Sequence, residues 1–105
     1  MKQLLLAVFF AVSFSTAASA DDVKDVWKAH CKSCHGETGK GDTKQGKKEK
    51  VKDMTTAKWQ GEWSDDKIKE NIREGKKDTK MKPFKDKLSD SEIDALVTFI
   101  RAFKA

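Results

Sequence analysis

The chain has little of what small proteins normally use to hold themselves together. It contains no tyrosine, one proline and two cysteines, and Cys31 and Cys34 are so close that a disulfide between them would close a trivially short loop. A framework of several disulfides is therefore excluded. Apolar residues are also scarce, since Ile, Leu, Val and Phe number 13 of the 85 residues from 21 to 105, a proportion typical of disordered chains. The apolar side chains of this stretch are too few to stabilise a fold by themselves.

The longest apolar run lies at the N-terminus. A basic start at Lys2 is followed by apolar residues from Leu4 to Phe14 and by small residues up to Ala20. This pattern is typical of a cleavable secretory signal, and the run is shorter than the roughly 18 residues that a membrane span needs. We therefore predict a signal peptide over residues 1–20, export to the periplasm, and one mature domain over residues 21–105.

The mature part predicts three helices and no strand. The first covers Asp22–His30, and the second covers about Asp65–Glu74, between a capping serine and a terminating glycine. The third follows a capping box at Ser89–Glu92, and its apolar residues recur at helical spacing: Ile93, Leu96, Val97, Ile100 and Phe103. The segment 36–63 is expected to be a long loop, which in a compact domain is usually functional. The fold class is therefore all-α.

Residues 31–35 form the pattern C-x-x-C-H, the attachment signature of a c-type haem. Two thiols one helical turn apart can each add to one vinyl group of a haem, and the imidazole that follows can bind its iron. We therefore predict that Cys31 and Cys34 hold one haem c covalently and that His35 is an iron ligand. A buried haem would also supply the apolar volume that the chain lacks.

Other residues along the chain strengthen the interpretation that it binds a haem. Trp27 precedes the motif, glycines 39 and 41 follow it, Trp59-Gln60 precedes a helix, and Pro83-Phe84 follows Met81. With the final amphipathic helix, the whole mature chain resembles a class I bacterial c-type cytochrome. The resemblance implies a small cytochrome c fold of about three helices around one covalently bound haem, with the first and last helices crossing. It also implies His35 and Met81 as axial ligands, and an electron carrier rather than an enzyme.

Met81 is also favoured by its surroundings. A thioether as second axial ligand favours ferrous iron, and the polar neighbours Lys80 and Lys82 are unusual for an ordinary core methionine. Two alternatives stay open, namely that Met81 only fills a gap in the core or that Met54 is the ligand. His30 is expected to be a surface or helix-end residue.

Two features depart from the family pattern. Lys82 separates Met81 from Pro83, whereas many members have proline directly after the ligand methionine. No proline follows the motif to supply the carbonyl that accepts the N–H of the proximal imidazole, so we expect another carbonyl of the Gly39–Val51 loop in that role. Trp59 and Trp63 can bond a haem propionate or simply pack on the haem edge.

Other functions fit less well. A thiol–disulfide oxidoreductase needs a strand before C-x-x-C, and four zinc ligands within residues 30–35 suit a tetrahedron poorly. Nucleic-acid binding is not expected of an exported chain that resembles no such module. The remaining alternative is a haem protein with a labile sixth ligand that binds a small gas or has peroxidase-like activity.

Positive charge is concentrated in two segments. Residues 40–52 and residues 76–87 each contain six lysines and two acidic residues, and the second segment surrounds Met81. Such clusters steer acidic partners and speed their encounter. We expect a monomer that docks on an acidic-faced redox protein or on a membrane-bound reductase or oxidase.

Overall fold

The computed structural model describes residues 20–104, which contain six helices and no strand. The helices are α1 (Ala20–His30), α2 (Lys32–His35), α3 (Lys44–Lys48), α4 (Ala57–Glu62), α5 (Asp65–Glu74) and α6 (Asp90–Arg101). Within this range no helix is long and apolar enough to cross a membrane. The predicted signal peptide, but for its last residue, lies outside the described residues.

The three predicted helices are present as α1, α5 and α6, and the all-α prediction is confirmed. The side chain of Ser64 caps α5 by accepting a hydrogen bond from the backbone of Lys67, and Gly75 ends the helix. The capping box at the start of α6 is complete, because Ser89 and Glu92 each accept the other's backbone N–H. Local signals were therefore sufficient to place these helices.

Three short helices were not predicted. The helix α2 is a single turn through the C-x-x-C-H motif, and α3 and α4 lie in the segment expected to be a loop. The hydroxyl groups of Thr43 and Thr56 cap α3 and α4 by accepting backbone N–H groups. The apolar periodicity that revealed the long helices is absent from α3, which consists of lysines, a glutamine and a glycine.

The core lies where α6 packs against α1 and α5. Ile93 and Leu96 of α6 are its most enclosed residues, at 0 % and 1 % exposure. Burial of each such side chain stabilises the fold by roughly 1.5–3 kcal/mol. The remaining buried apolar residues are Val23, Trp27, Met54, Ile68, Ile72, Leu88, Val97 and Ile100.

Arg101, at the end of α6, ties α4 and α5 to that helix. Its guanidinium donates to Asp65 over 2.6 Å, to the backbone carbonyl of Gln60 over 2.8 Å, and to the carbonyl of Trp63. The side-chain amide of Gln60 in turn donates to the backbone carbonyl of Met54 over 2.8 Å. The planar fork of an arginine can serve several acceptors at once, so one side chain fixes the short helix α4 on the core.

Candidate functional site

The C-x-x-C-H motif forms a helical turn directly after α1. The amide of Cys31 donates to the carbonyl of Trp27 over 2.8 Å, and the carbonyl of Cys31 accepts from the amide of His35 over 2.9 Å. Residues three and four positions apart on a helix share one side. The fold therefore brings Cys31, Cys34 and His35 to one side of a single turn.

The chemistry of these groups fits a covalently bound haem. Both cysteines are free and half-buried. Burial raises the pKa of the Cys31 thiol to about 12, and burial lowers the pKa of His35. The His35 imidazole is therefore neutral at physiological pH and has a nitrogen lone pair for a metal. Two thiols and one neutral imidazole are the groups that haem c requires of its protein.

The second nitrogen of His35 has no acceptor among residues 20–104. Its Nδ1 is buried and unpartnered within the described part of the chain. The prediction that a carbonyl of the Gly39–Val51 loop accepts this N–H is therefore wrong for this structure. The loop bonds to its own surroundings instead: the carbonyl of Gly39 accepts from Met54, and that of Gly46 accepts from Val51, each over 2.9 Å.

The same loop closes against the motif through Thr43 and Gly46. The Thr43 hydroxyl lies 2.7 Å from the carbonyl of Ser33 and 3.2 Å from that of Cys34, and it accepts the Gly46 amide over 2.9 Å. A β-carbon on Gly46 would overlap the carbonyls of Cys34 and Gly41. Sequence reasoning missed both residues. A helix-capping threonine can be recognised from sequence, but nothing in the sequence marks the close approach at Gly46.

The two methionines considered as ligands lie in different surroundings. Met81 is half-buried in the segment between α5 and α6 and packs against the core, whereas Met54 is 6 % exposed and belongs to the core. The backbone of Met81 is held at both ends, since its carbonyl accepts from Lys76 and its amide donates to the Thr79 hydroxyl, each over 3.2 Å. Ligation by Met81 stays a prediction.

Three further aromatic residues were singled out from the sequence, namely His30, Trp59 and Trp63. His30 is exposed in the last turn of α1, as expected, with its ring 5.5 Å from that of Phe84. Trp59 and Trp63 are half-buried and stacked, with ring centroids 5.7 Å apart and planes 16° apart. Their contact with a haem propionate stays a prediction.

Comparisons with known proteins identify the family of the chain. Residues 18–100 match the family described as cytochrome C oxidase, cbb3-type, subunit III. Among solved structures, the chain is 39 % identical to the KustC0563 c-type cytochrome, covering 78 % of this chain and 96 % of that one at a TM-score of 0.72. A tyrosine-to-phenylalanine mutant of KustC0563 is 38 % identical, covering 79 % of this chain and 99 % of that one at a TM-score of 0.70. No curated protein matches the chain. The chain therefore belongs to the c-type cytochromes, within the family of the cbb3-type subunit III model, and carries one covalently bound haem c with its iron.

Proposed function

We propose that this cytochrome shuttles single electrons between redox partners through an iron bound by His35 and Met81. Haem iron, when bound, alternates between ferrous and ferric states and so takes up and releases one electron at a time. The family supports an electron carrier in general. The axial ligands, the periplasmic location and the partners are our proposal.

The observation that carries this proposal is the turn α2. Together with its N-cap residue Cys31, this turn offers two free thiols for attachment, and it offers a half-buried imidazole that is kept neutral, as an iron ligand must be. In this function the protein holds these groups in place and keeps water away from the imidazole. Carrying an electron requires no general acid, base or nucleophile.

The environments of the methionines support Met81 as second ligand. The side chain of Met54 is almost wholly used for core packing, and its backbone is bonded on both sides, to Gly39 and to Gln60. Withdrawing Met54 to bind iron would leave a cavity in the core. Met81 is only half-buried, so its thioether can bind iron without leaving a cavity in the core.

The distribution of ion pairs supports docking on an acidic surface. Two acidic residues of α6 are paired with basic side chains of α5, Asp94 with Lys69 at 2.9 Å and Asp90 with Arg73 at 3.2 Å. Asp65, at the start of α5, is paired with Arg101. In contrast, Lys77, Lys80 and Lys82 are exposed and form no ion pair within residues 20–104. Their uncompensated charge surrounds Met81. We propose that it faces an acidic-faced redox protein or a membrane-bound reductase or oxidase.

A visible spectrum of the purified holoprotein, reduced and oxidised, with and without carbon monoxide, tests the proposal. We expect a ferrous form that resists carbon monoxide and a haem that stays on the chain in denaturing electrophoresis. Cys34→Ala should lose most holoprotein. A well-folded, haem-free protein lacking both cysteines would contradict the expectation that the fold needs the haem, and haem retained covalently by that variant would contradict the attachment. Ready carbon monoxide binding by the unmodified protein would favour gas binding or peroxidase-like activity instead.

A further inference from the structure

The imidazole of His35 lacks the contact that usually orients a metal-binding histidine. Such histidines normally donate their second N–H to a carbonyl or a carboxylate, and this bond fixes the ring. In the described part of this chain the Nδ1 of His35 is buried without a partner. The orientation of the ring must therefore be set by other contacts.

The backbone on either side of the ring is held by hydrogen bonds. The amide of His35 donates to the carbonyl of Cys31, and its carbonyl accepts from the amide of Gly41, both over 2.9 Å. The carbonyl of Gly36, the next residue, accepts from the indole Nε1 of Trp27 over 2.9 Å in a buried setting. The first two bonds are available to any sequence with this backbone. The third requires an indole N–H at position 27.

Trp27 also contacts the imidazole itself. The two ring centroids are 5.9 Å apart and the planes are tilted by 43°. Trp27 is 3 % exposed and is enclosed by Phe99 and Phe103, whose ring centroids lie 5.3 Å and 5.1 Å from its own. A side chain enclosed so closely has a single orientation. Its ring face and its N–H are therefore fixed relative to His35.

We propose that Trp27 is the positioning residue for His35. Its ring limits the rotation of the imidazole, and its N–H holds the Gly36 carbonyl, in place of an Nδ1 hydrogen bond, for which residues 20–104 supply no acceptor. A phenylalanine at the same place would fill much of the space but would leave the buried Gly36 carbonyl unpaired. The inference rests on the proposed function, in which His35 binds the haem iron.

Two changes follow from replacing Trp27 with phenylalanine. The imidazole gains rotational freedom, and in the oxidised holoprotein the spread of the haem methyl proton resonances, which depends on axial ligand orientation, becomes narrower. The smaller ring also admits water to Nδ1. A hydrogen bond from Nδ1 makes the imidazole a stronger donor and favours ferric iron, so the midpoint potential falls.

The experiment compares proton spectra, potentials and melting temperatures of four holoproteins with those of the unmodified one. Trp27→Phe should narrow the methyl spread and lower the potential. β-(3-Benzothienyl)alanine at position 27, which replaces the indole N–H by sulfur with little change of shape, should narrow the spread too. Thr98→Ala, at an exposed position of α6, is the control and should change neither the methyl spread nor the potential. Phe103→Leu, which loosens one side of the enclosure of Trp27, should lower the melting temperature and narrow the spread less than Trp27→Phe does.

The result that overturns the proposal is an unchanged methyl spread in both position-27 variants, with only their melting temperatures lowered. If Trp27→Phe yields no holoprotein, the benzothienyl variant decides. His35→Ala separates this inference from the function on which it rests. An unchanged visible spectrum in His35→Ala would refute His35 as ligand, whereas a changed one beside silent position-27 variants would refute only the role of Trp27.

Discussion

A β-carbon on Gly75 would lie 2.7 Å from the carbonyl oxygen of Met81 and 2.8 Å from the nitrogen of Pro83. Gly75 also has φ of 72° and ψ of −179°, a backbone conformation that is essentially restricted to glycine. The end of α5 and the Met81 segment therefore touch backbone to backbone. The absence of a side chain at position 75 allows Met81 to lie where it does.

Gly75→Ala should displace the Met81 segment. We expect a loss of about 1–3 kcal/mol in the free energy of unfolding, from strain at position 75, together with a lower midpoint potential and carbon monoxide binding by the ferrous form. Gly61→Ala is the matched control, since Gly61 lies within α4 and a β-carbon there would meet no atom within 4 Å. A potential unchanged by Gly75→Ala would show that the placement of Met81 does not depend on this contact.

Met54→Ala and Met81→Ala should separate packing from ligation. Met54→Ala leaves a cavity in the core and should lower the free energy of unfolding by about 2–5 kcal/mol, with an unchanged visible spectrum. Met81→Ala should lower the potential and open the ferrous iron to carbon monoxide, as seen in spectra and redox titration. The reverse assignment of these effects would make Met54 the ligand.

Arg101→Ala should lower the stability of the fold more than the loss of an arginine outside the core normally does. Its loss leaves the carbonyls of Gln60 and Trp63 without their donor, and we expect the free energy of unfolding, measured in urea, to fall by about 2–3 kcal/mol. Arg73→Ala is the control. It removes one exposed ion pair to Asp90 and should cost less than about 1 kcal/mol. Equal losses would show that the carbonyl contacts contribute little.

Asp53 should make stability depend on pH at the acid end. The hydrogen bond from the Thr55 side chain, and then the bond from the Thr55 backbone amide, lower the pKa of Asp53. A lowered pKa contributes stability above the ordinary carboxyl pKa, and the contribution is lost as pH falls through the folded-state value.

Asp53→Ala should therefore lower the free energy of unfolding at neutral pH, by less than about 1 kcal/mol because the carboxylate is exposed to solvent. The difference from the unmodified protein should shrink as pH falls below the ordinary carboxyl range. Urea titrations at several pH values measure it. A difference that stayed constant down to the acid limit would show that the charge of Asp53 is not involved.

Docking by the lysines around Met81 should depend on ionic strength. The rate of electron transfer to the proposed acidic-faced partner should fall steeply as salt rises toward physiological strength, because exposed charges are screened beyond about 8–10 Å. Lys80→Glu with Lys82→Glu should slow association without changing the spectrum. The same double charge reversal at Lys24 and Lys28, exposed on α1, should have a smaller effect. Rates that do not respond to salt would rule this docking surface out.

The parts of the fold that could be predicted from sequence are those with a local cause. Capping residues and apolar spacing located α5 and α6, and the motif placed Cys31, Cys34 and His35 on one turn. The unpaired Nδ1 of His35 and the close approach of Gly46 to Cys34 could not be predicted. Both depend on how a glycine-rich loop folds back on the motif, and no residue type or spacing encodes that path.

The packing of α1 on α6 also affects when the Cys31 thiol is reactive. Trp27, four residues before Cys31, is enclosed by Phe99 and Phe103, near the far end of the chain. A ribosome makes Cys31 long before it makes these two aromatic residues. In that interval the Cys31 thiol is solvated, whereas burial in the folded chain without haem raises its pKa to about 12. Because the thiolate is the reactive form, the Cys31 thiol is more reactive before α6 packs on α1 than after it.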